Sequence, residues 1–517
     1  MRLPSIIFFF EVHQPYRLNK ALHSKLLEKA FRGRIDINDI EEAIFDNELN
    51  KYVLNRVADR CYIPATKIII ENIEMFKNTS KPFKVTYSIS GVLLEQALKW
   101  RRDIIDVFRK AVDTGMVELA EQTYYHSIVA FMPNYGFDEL REQILEHKKI
   151  VKELFDYEPV SIENTEFTYN NDIACFLNSL GYKAILTEGV DWVLGWRSPN
   201  YVYKARDCDI RVLTRNYRLS DDIGFRFSDK RWDQYPLTAD KYASWLASTP
   251  GDLVFIAIDY ETFGEHHWPE TGIYEFLRWL PREISRHGNL DFTTPREAIS
   301  RYPPRDIYDV PSWSTISWAD ERDISAWLGN ELQWEAFKII SELRPYVKAV
   351  DNIDIIKLWK KLTISDHYYY MATKFGSIGE VHAYFSPYKN AAIAHGLLME
   401  SLGLLISIIA EEIRRNPNKI LSKLELPWNK AFYFYLPTGE FTGISARSIP
   451  EFLLSLEKAP LESILFHLNR GDFENWIRNV FFLDQVADEI MKIRTEAEAI
   501  ESKLEKLKKI ISMLVTY

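Results

Sequence analysis

The chain has 517 residues, of which 47% are hydrophobic and 27% are charged, as in an ordinary soluble globular protein. Its 64 Lys and Arg residues against 74 Asp and Glu residues give a formal net charge of −10. An acidic chain repels phosphate backbones, so we expect no nucleic-acid partner, and the length predicts two to four domains at roughly 100–200 residues each.

The cysteines and the N-terminus suggest where the protein works. Cys61, Cys175 and Cys208 are few, odd in number and without a CxxC pair, which argues against a disulfide scaffold or a structural zinc site and fits a reducing compartment. The apolar run Ile6–Phe10 ends at Glu11 and is too short for a signal peptide. We find no run of about 18–20 apolar residues that would cross a membrane. We therefore predict a cytoplasmic protein without membrane contact.

The first 300 residues alternate short apolar runs with helix-like stretches, which is typical of a parallel sheet covered on both faces. The predicted strands are Ser5–Val12, Lys84–Ser90, Val117–Glu121, Pro159–Asn164, Ala184–Thr187, Arg211–Thr214 and Leu253–Ile258. The predicted helices between them are Lys67–Phe76, Leu93–Thr114, Phe137–Phe155 and Thr238–Ala247. This many strands suit either a barrel or a doubly wound sheet.

Polar residues at the ends of most of these strands favour the barrel. Such residues follow six of the predicted strands: His13, Gln14, Glu121, Tyr124, His126, Glu166, Glu188, Asp191, Asn216, Asp221, Asp222, Asp259, Glu261 and His266. Any one of them could be a helix cap or a loop residue. In a barrel of parallel strands, however, all of them would meet on the C-terminal rim, where catalysis takes place.

The pattern changes after about residue 303, which predicts three domains. We predict a barrel over residues 1–305, a helical domain that completes the active site over 306–420, and a mainly helical C-terminal unit over 421–517. The helices expected in the second domain are Asp320–Arg344, Ile353–Ala372 and Ala391–Arg415.

A heptad pattern occupies the end of the C-terminal unit. Apolar residues alternate at steps of three and four through Leu483, Val486, Ile490, Ile493, Ala497, Ile500, Leu504, Leu507, Ile511 and Leu514. The pattern predicts one long helix. That helix either packs on its own domain or forms a coiled coil with another subunit, which would make a homo-oligomer.

Two segments, residues 162–171 and 255–267, carry carboxyl groups suited to glycosidic bond cleavage. This reaction needs one carboxyl group that protonates the leaving oxygen and another that attacks the anomeric carbon or activates water. Asp259 directly follows an apolar run, so partial burial should raise the pKa of its carboxyl group. Such a shift keeps one carboxyl group protonated while its partner stays ionised.

Five short motifs then occur in order along residues 1–400. They are His13-Gln14-Pro15, Gly115–Glu121, Asn164-Thr165-Glu166, Asp259–Gly264 and Ser365–Tyr370. The sequence thereby resembles glycoside hydrolase family 57. The flanking segments Ser317–Asp323 and Ala326–Asn330 resemble its α-amylase-type branch. The resemblance implies an incomplete (β/α)7 barrel followed by a helical region, an α-glucan substrate and no cofactor or metal.

The resemblance also implies roles for particular residues. Glu166 would be the nucleophile and Asp259 the general acid/base, in a retaining mechanism. His13 and Asp366 would hold substrate hydroxyls. The substrate-binding residues predicted in full are His13, Glu121, His126, Glu261, His266, Trp268, Trp318, Trp327, Asp366 and His367. Aromatic residues make up 14% of the chain, and the candidates for stacking on sugars are Trp192, Trp196, Trp268, Trp318 and Trp327.

Two departures from the family pattern leave the particular reaction open. Transferase members carry His-Asp-Asp-Gly-Glu in the fourth motif, where this chain has Ala257–Glu261, and Glu121 stands where members often have Gly. The alternatives are therefore a 4-α-glucanotransferase and an amylopullulanase. Two readings outside the family are a glucan-binding protein without catalysis and a metal-dependent carbohydrate deacetylase. The deacetylase would use His13, His126, His266, His267 and Asp259 as ligands.

Overall fold

The structure is a computed structural model that describes residues 4–33, 35–288 and 290–515. Its strands in chain order are β1 Ser5–Val12, β2 Val85–Ile89, β3 Val117–Ala120, β4 Ser161–Glu163, β5 Ala184–Glu188, β6 Val202–Ala205, β7 Arg211–Arg215, β8 Leu253–Asp259, β9 Asp291–Phe292, β10 Ile307–Tyr308, β11 Phe432–Tyr435 and β12 Phe441–Ala446.

The helices follow in chain order through three stretches. The first stretch has α1 Leu22–Arg32, α2 Ile37–Ile44, α3 Asn47–Val57, α4 Ile63–Phe76, α5 Gly91–Trp100, α6 Arg102–Val112, α7 Gly136–Phe155, α8 Asn171–Ser179, α9 Asp191–Leu194, α10 Tyr217–Gly224, α11 Ala239–Ser248, α12 Ile273–Arg286 and α13 Pro295–Arg301. The second has α14 Ser325–Leu328, α15 Glu331–Val350, α16 Ile353–Lys361, α17 Ser365–Tyr369, α18 Gly376–Phe385, α19 Ala391–Arg415 and α20 Pro417–Leu421. The third has α21 Ile449–Lys458, α22 Leu461–Arg470, α23 Asp472–Phe481, α24 Asp484–Thr495 and α25 Ile500–Val515.

Strands β1 to β10 form two sheets that are largely parallel, and β11 pairs with β12 in a separate antiparallel sheet. One has the order β3-β2-β1-β8, with β9 beside β1, and the other has the order β10-β6-β7-β5-β4. Only β6 against β7 is antiparallel within these two sheets of the described chain. All seven predicted strands are present, and the α/β fold with parallel sheets is confirmed. In these two sheets, sequence reasoning missed β6, β9 and β10, which are two to four residues long, and it also missed the pair β11 and β12.

Backbone hydrogen bonds also link the two sheets. Between β3 and β4, the Glu121 nitrogen donates to the Ser161 oxygen at 2.9 Å, and the Glu163 nitrogen donates to the Glu121 oxygen at 3.0 Å. Between β7 and β8, the Asn216 nitrogen donates to the Phe255 oxygen at 2.8 Å. The carboxyl ends of strands from both sheets therefore lie side by side.

Strand β1 shows why these runs are apolar without alternation. Successive side chains of a strand point to opposite faces of the sheet. Ile7 and Phe9 belong to an inner cluster with residues of both sheets, while Phe8 and Phe10 pack in an outer cluster with the covering helices. All eight residues of β1 are buried, as expected for a parallel strand covered on both sides.

Three predicted helices are interrupted in the structure. The stretch predicted as Asp320–Arg344 divides at Gly329 and Asn330, between α14 and α15. The stretch predicted as Leu93–Thr114 divides at Arg101, which lies between α5 and α6 and has non-helical backbone dihedrals (φ −148°, ψ 66°). The stretch predicted as Ile353–Ala372 divides after Lys361, so that α17 begins a new helix at Ser365. This last interruption falls just before the fifth motif, which begins at Ser365.

The prediction of one long heptad helix is wrong. Residues 496–499 are not helical and separate α24 from α25. Ile490, Ile493, Leu507 and Ile511 from the heptad pattern are buried in the main hydrophobic cluster of the same chain. Over the described residues, these apolar side chains are therefore used for packing within the chain.

Two expectations from composition are also corrected. Cys175 and Cys208 form a disulfide, and Cys61 alone is a buried free cysteine. The cysteines therefore no longer argue for a reducing compartment. Within the described chain, α19 is long and apolar enough to cross a membrane by length and composition alone. Seven of its 25 residues, including Leu398 and Leu405, are buried in the protein.

Candidate active site

A cavity of about 260 Å³ lies at the carboxyl ends of the strands. Its lining comes from the ends of β1, β4, β7 and β8 and from the helical region after residue 317. The predicted site residues that line this cavity are His13, His126, Glu166, Asp259, Glu261, His266, Trp318, Trp327 and Asp366. The structure thus brings together most of the residues chosen from sequence, over about 350 positions of the chain.

Glu166 is held in an unusual backbone conformation. It lies in a short turn after β4 with φ 63° and ψ 26°, in the left-handed region that non-glycine residues rarely adopt. Its Oε2 accepts a hydrogen bond from Trp318 Nε1 at 2.7 Å, and its Oε1 accepts one from Ser365 Oγ at 3.1 Å. Strain of this kind persists where the surroundings fix a residue, and such residues cluster at functional sites.

Asp259 ends β8 and lies beside Glu11 of β1 in the strand register. Burial raises the pKa of its carboxyl group to about 7, and the negative charge of Glu166 adds to the rise. The positive charge of Arg215 acts in the opposite direction. Glu166 and Asp259 therefore share one cavity, and near neutral pH the Asp259 carboxyl group retains a proton for part of the time.

A pair of stacked histidines connects the site to the fifth motif. The rings of His13 and His126 are stacked with centroids 4.0 Å apart. Burial and then the charge of His126 lower the pKa of His13 to about 4, so His13 is neutral at pH 7. Its Nε2 lies 3.0 Å from Asp366 Oδ2 and its Nδ1 lies 2.7 Å from Ser90 Oγ. A neutral His13 with a proton on Nε2 satisfies both contacts, as donor to Asp366 and acceptor from Ser90.

Neighbouring groups shift the pKa values of His126 and Asp366 in opposite directions. Burial opposes protonation of His126, but Glu166, whose Oε1 lies 3.5 Å from His126 Nε2, raises the pKa of the ring. The other ring nitrogen lies 2.9 Å from Gln122 Oε1, to which it donates. Burial also opposes ionisation of Asp366, but the hydrogen bond from His13 holds the pKa of this carboxyl group below its usual range.

The turn after Asp259 places Glu261 in the cavity wall. Glu261 is buried and accepts a hydrogen bond from the Tyr62 hydroxyl. Burial, reinforced by the charge of Asp259, raises the pKa of Glu261 to about 8. The motif ends at Gly264 (φ 115°), where a Cβ would lie 1.8 Å from the Arg60 oxygen, so only glycine fits.

His266 lies further along the same segment. Burial, and then the neighbouring His267, lower the pKa of His266 to about 4, so its ring is neutral at pH 7. The ring meets Phe385 edge-on, with centroids 5.5 Å apart. His266 therefore joins the strand side of the cavity to α18, which sequence reasoning did not include in the site.

Arg215 is the main cavity residue that sequence reasoning missed. It ends β7, is buried, and donates from Nε to the Ala257 oxygen at 2.8 Å. Its two Nη atoms donate to Glu188 Oε2 at 2.9 Å and to Asp221 Oδ1 at 2.6 Å. The sequence contained a signal for Arg215. Glu188 and Asp221 were recognised as polar residues at strand ends, and buried carboxylates require a cationic partner.

Three predicted substrate contacts lie outside the cavity. Glu121 is fully buried between β3 and β4, where it accepts hydrogen bonds from His147 and from the Tyr182 hydroxyl. His367 is buried, with Nε2 3.2 Å from the Lys361 oxygen. Trp268 is 62% exposed and does not line the cavity. Glu121 and His367 are therefore buried away from the cavity, which corrects the prediction that they contact substrate there, whereas the prediction for the exposed Trp268 stays a prediction.

The helical side of the cavity supplies further residues that were not chosen as site residues from the sequence, although Tyr369 and Tyr370 lie in the fifth motif. Tyr369 stacks on His382 with ring centroids 3.9 Å apart, and both line the cavity together with Val381 and Phe385 of α18. Tyr370 lines it as well, and its hydroxyl donates to Asp366 Oδ1 at 3.2 Å. The α18 side chains lie outside every motif, and their place in the cavity depends on how α18 packs against the rest of the site.

The histidines and carboxylates of the site do not form a metal centre. Among residues 4–33, 35–288 and 290–515, no group of three or more His, Cys, Asp and Glu side chains is arranged to hold a metal ion. Instead, Ser90 and Asp366 engage His13, while His267 contacts Ser228 Oγ at 2.7 Å. The zinc hypothesis therefore has no ligand set in the described chain.

Comparison with known sequences identifies the family. The model of "Glycosyl hydrolase family 57" matches residues 7–311, more than half of the chain. The chain therefore belongs to glycosyl hydrolase family 57. A protein of Methanocaldococcus jannaschii named "Putative alpha-amylase" is 47% identical over 406 residues, which cover 77% of this chain and 83% of that protein.

More distant relatives carry two different names. An "Alpha-amylase" of Pyrococcus furiosus is 25% identical over 274 residues, and a "4-alpha-glucanotransferase" of Thermococcus litoralis is 23% identical over 270. Each match covers 50% of this chain and 38% of the relative. A family 57 branching enzyme from Pyrococcus horikoshii has a similar fold, with a TM-score of 0.56 at 15% identity over 80% of this chain and 91% of that one.

Proposed function

We propose that this protein is a retaining glycoside hydrolase of the α-amylase type, which cleaves α-1,4-glucosidic bonds in starch, glycogen and maltooligosaccharides. The observation that carries the proposal is the fixed, left-handed Glu166 in one cavity with Asp259, whose pKa is raised to about 7. Retaining enzymes need this combination of an oriented carboxylate and a protonated carboxyl group. The names of the relatives support an α-glucan as substrate.

In the first step, Asp259 donates its proton to the leaving oxygen while Glu166 attacks the anomeric carbon. The C–O bond to the leaving sugar breaks, and a covalent bond forms between the sugar and Glu166. Trp318 and Ser365 each bind one oxygen of Glu166, and so they orient the carboxylate before substrate arrives. Orientation of this kind removes much of the entropic cost of the attack.

In the second step, Asp259 is ionised and accepts a proton from the incoming hydroxyl group. Attack of that oxygen on the anomeric carbon breaks the bond to Glu166 and returns Asp259 to its protonated form. Water as the acceptor gives hydrolysis with net retention. A sugar 4-hydroxyl as the acceptor gives glucan transfer with the same residues, which is how one family can contain both reactions.

The remaining polar groups suit a neutral sugar with many hydroxyls. Asp366 already accepts hydrogen bonds from His13 and Tyr370, and a carboxylate has further lone pairs for substrate hydroxyls. Trp318 and Trp327 line the cavity and offer apolar ring surface to pyranose faces. His13 and His126 would fix the position of Asp366 and Glu166 respectively.

We also infer that the seven parallel strands form the incomplete (β/α)7 barrel of residues 1–305. The backbone hydrogen bonds from β3 to β4 and from β7 to β8 support this inference, since they link the two sheets at both junctions. Residues 306–420 then form the helical domain that completes the active site, and residues 421–517 the C-terminal unit. A cytoplasmic location stays part of the proposal.

The proposal is tested by incubating the protein with maltoheptaose, separating the products and following the new anomeric centres by NMR. Shorter oligosaccharides that are initially in the α configuration would support a retaining α-amylase. Longer and shorter chains together, without a net gain of reducing ends, would assign the protein as a glucanotransferase. Initial β products would contradict the retaining mechanism, and unchanged maltoheptaose would contradict the proposed function altogether.

A further inference from the structure

A second cavity, of about 480 Å³, lies next to the catalytic one and contains two exposed tryptophans. Trp192 belongs to α9 and is 60% exposed, and Trp313 belongs to the turn Ser312–Ser314 and is 86% exposed. The volume lies within the range of about 300–1,000 Å³ that is usual for small-molecule sites. Large indoles are costly to leave in water, so their meeting in one concave surface requires an explanation.

The wall between the two cavities is a short, well-anchored segment. Glu321 and Arg322 line both cavities. Arg322 has a φ of 58°, and its Nη1 donates to Glu188 Oε2 at 2.9 Å and to the Trp318 oxygen at 2.8 Å. On the catalytic side, Trp318 binds Glu166. A ligand in the second cavity would therefore lie one chain segment away from the nucleophile.

The second cavity also carries hydrogen-bonding groups. Asp323, Arg322, Thr315 and the hydroxyls of the Ser312–Ser314 turn line it beside the indoles. Asp323 Oδ1 accepts a hydrogen bond from the Ser325 nitrogen at 2.7 Å, which fixes the carboxylate at the surface. Flat apolar rings together with carboxylate, guanidinium and hydroxyl groups match a pyranose, which has an apolar C–H face and a rim of hydroxyls.

We propose that the Trp192–Trp313 cavity binds a distal segment of the same α-glucan chain whose scissile bond lies between Glu166 and Asp259. The inference rests on the proposed function and deepens it, because it makes chain length a property that the enzyme senses. Long chains occupy both cavities, whereas short oligosaccharides occupy the catalytic cavity alone. The two cavities are adjacent and share Glu321 and Arg322 in their lining, which is the reason for choosing the substrate itself as the occupant.

The test is the double variant Trp192→Ala/Trp313→Ala, measured on soluble amylose and on the shortest maltooligosaccharide that the wild type cleaves. For amylose we expect KM to rise about tenfold with kcat retained, and for the short substrate kcat/KM should stay within about twofold. The control is Trp279→Ala, because Trp279 is also exposed (42%) but lines neither cavity. An unchanged KM for amylose would overturn the inference. An equal loss of kcat/KM on both substrates, with a circular dichroism spectrum like that of the wild type, would also overturn it.

Native electrophoresis through a gel containing amylose separates this inference from the proposed function. The wild type and Trp279→Ala should be slowed by amylose, and the double variant should be slowed markedly less. A wild type that cleaves no α-glucan but is slowed through Trp192 and Trp313 would refute the proposed function and retain the second binding site. A wild type that cleaves amylose, with a double variant slowed as much as itself, would refute the second site alone.

Discussion

The two walls of the catalytic cavity differ in what they contribute. The strand wall carries Glu166, Asp259 and His126, which lie at or beyond strand ends and contain the atoms suited to proton transfer and attack. The helical wall carries Trp318, and Ser365 precedes its residue Asp366 in the chain; Trp318 and Ser365 each donate one hydrogen bond to Glu166. The family model covers the first wall and ends at residue 311, before the second begins.

This division predicts how substitutions should behave. A change in the strand wall removes a chemical group, and no neighbour can replace it. A change in the helical wall leaves the group in place but loosens its position, so that a part of the activity remains. The size of the loss, and whether it falls on kcat or on the pH dependence, therefore distinguishes the two walls.

The largest effect is expected for Glu166→Gln, which keeps the shape of the side chain but removes the nucleophile. Turnover of maltooligosaccharides should fall by roughly 10⁴-fold or more, because no covalent intermediate can form. Steady-state assays with reducing-end detection measure this, and circular dichroism checks that the fold is intact. Near wild-type turnover would remove Glu166 from the mechanism.

A smaller and more selective loss is expected for Asp259→Asn. Cleavage of unactivated glucosidic bonds should fall by about 10²–10⁴-fold, the usual contribution of a general acid. Aryl α-glucosides with a good leaving group need little protonation and should lose much less in the first step. Parallel assays on maltooligosaccharides and aryl glycosides make the comparison, and equal losses on both would count against the acid role.

In the helical wall, Trp318→Phe removes the N–H group that binds Glu166 Oε2 and keeps an aromatic ring against Phe167. A hydrogen bond to a charged group contributes about 1.5–3 kcal/mol, so kcat should fall by about 10- to 100-fold. Ser365→Ala, which removes the bond to Oε1, should act in the same direction. Losses as large as that of Glu166→Gln would abolish the distinction between the two walls.

Much of the strand wall could be predicted from sequence. Parallel strands that are buried on both faces appear as continuous apolar runs, and the polar residue that follows each run must lie at one end of the sheet. Glu166, Asp259 and His13 follow such runs, and the structure brings all three to one cavity. Glu121 also follows a run but is fully buried between β3 and β4, because its position is fixed by which neighbours pair and not by its own strand.

The helical wall was harder to predict, for physical reasons. A helix shows its buried face through apolar spacing, but that spacing does not indicate which other element it meets. The contacts of Phe385 and Tyr369 depend on the packing of α17 and α18, which sequence reasoning had merged or omitted. The heptad pattern near the C-terminus failed for the same reason, since buried seams within one chain and between two chains look alike.

The smallest predicted effect connects the two walls through charge. Asp259 must be protonated to act as the acid, and its pKa is raised to about 7, so kcat/KM should decline as pH rises above about 7. Asp366 in the helical wall is one of the negative charges that raise this pKa, after burial and Glu166. In Asp366→Asn the loss of that charge makes Asp259 easier to ionise, and the alkaline limb of the pH profile of kcat/KM should move to lower pH by less than about one unit.

The control is Trp318→Phe, which changes no charge and should leave the alkaline limb in place. A pH profile of kcat/KM for both variants measures the shift, and an alkaline limb that stayed put or moved upward in Asp366→Asn would show that the helical wall does not influence the acid electrostatically.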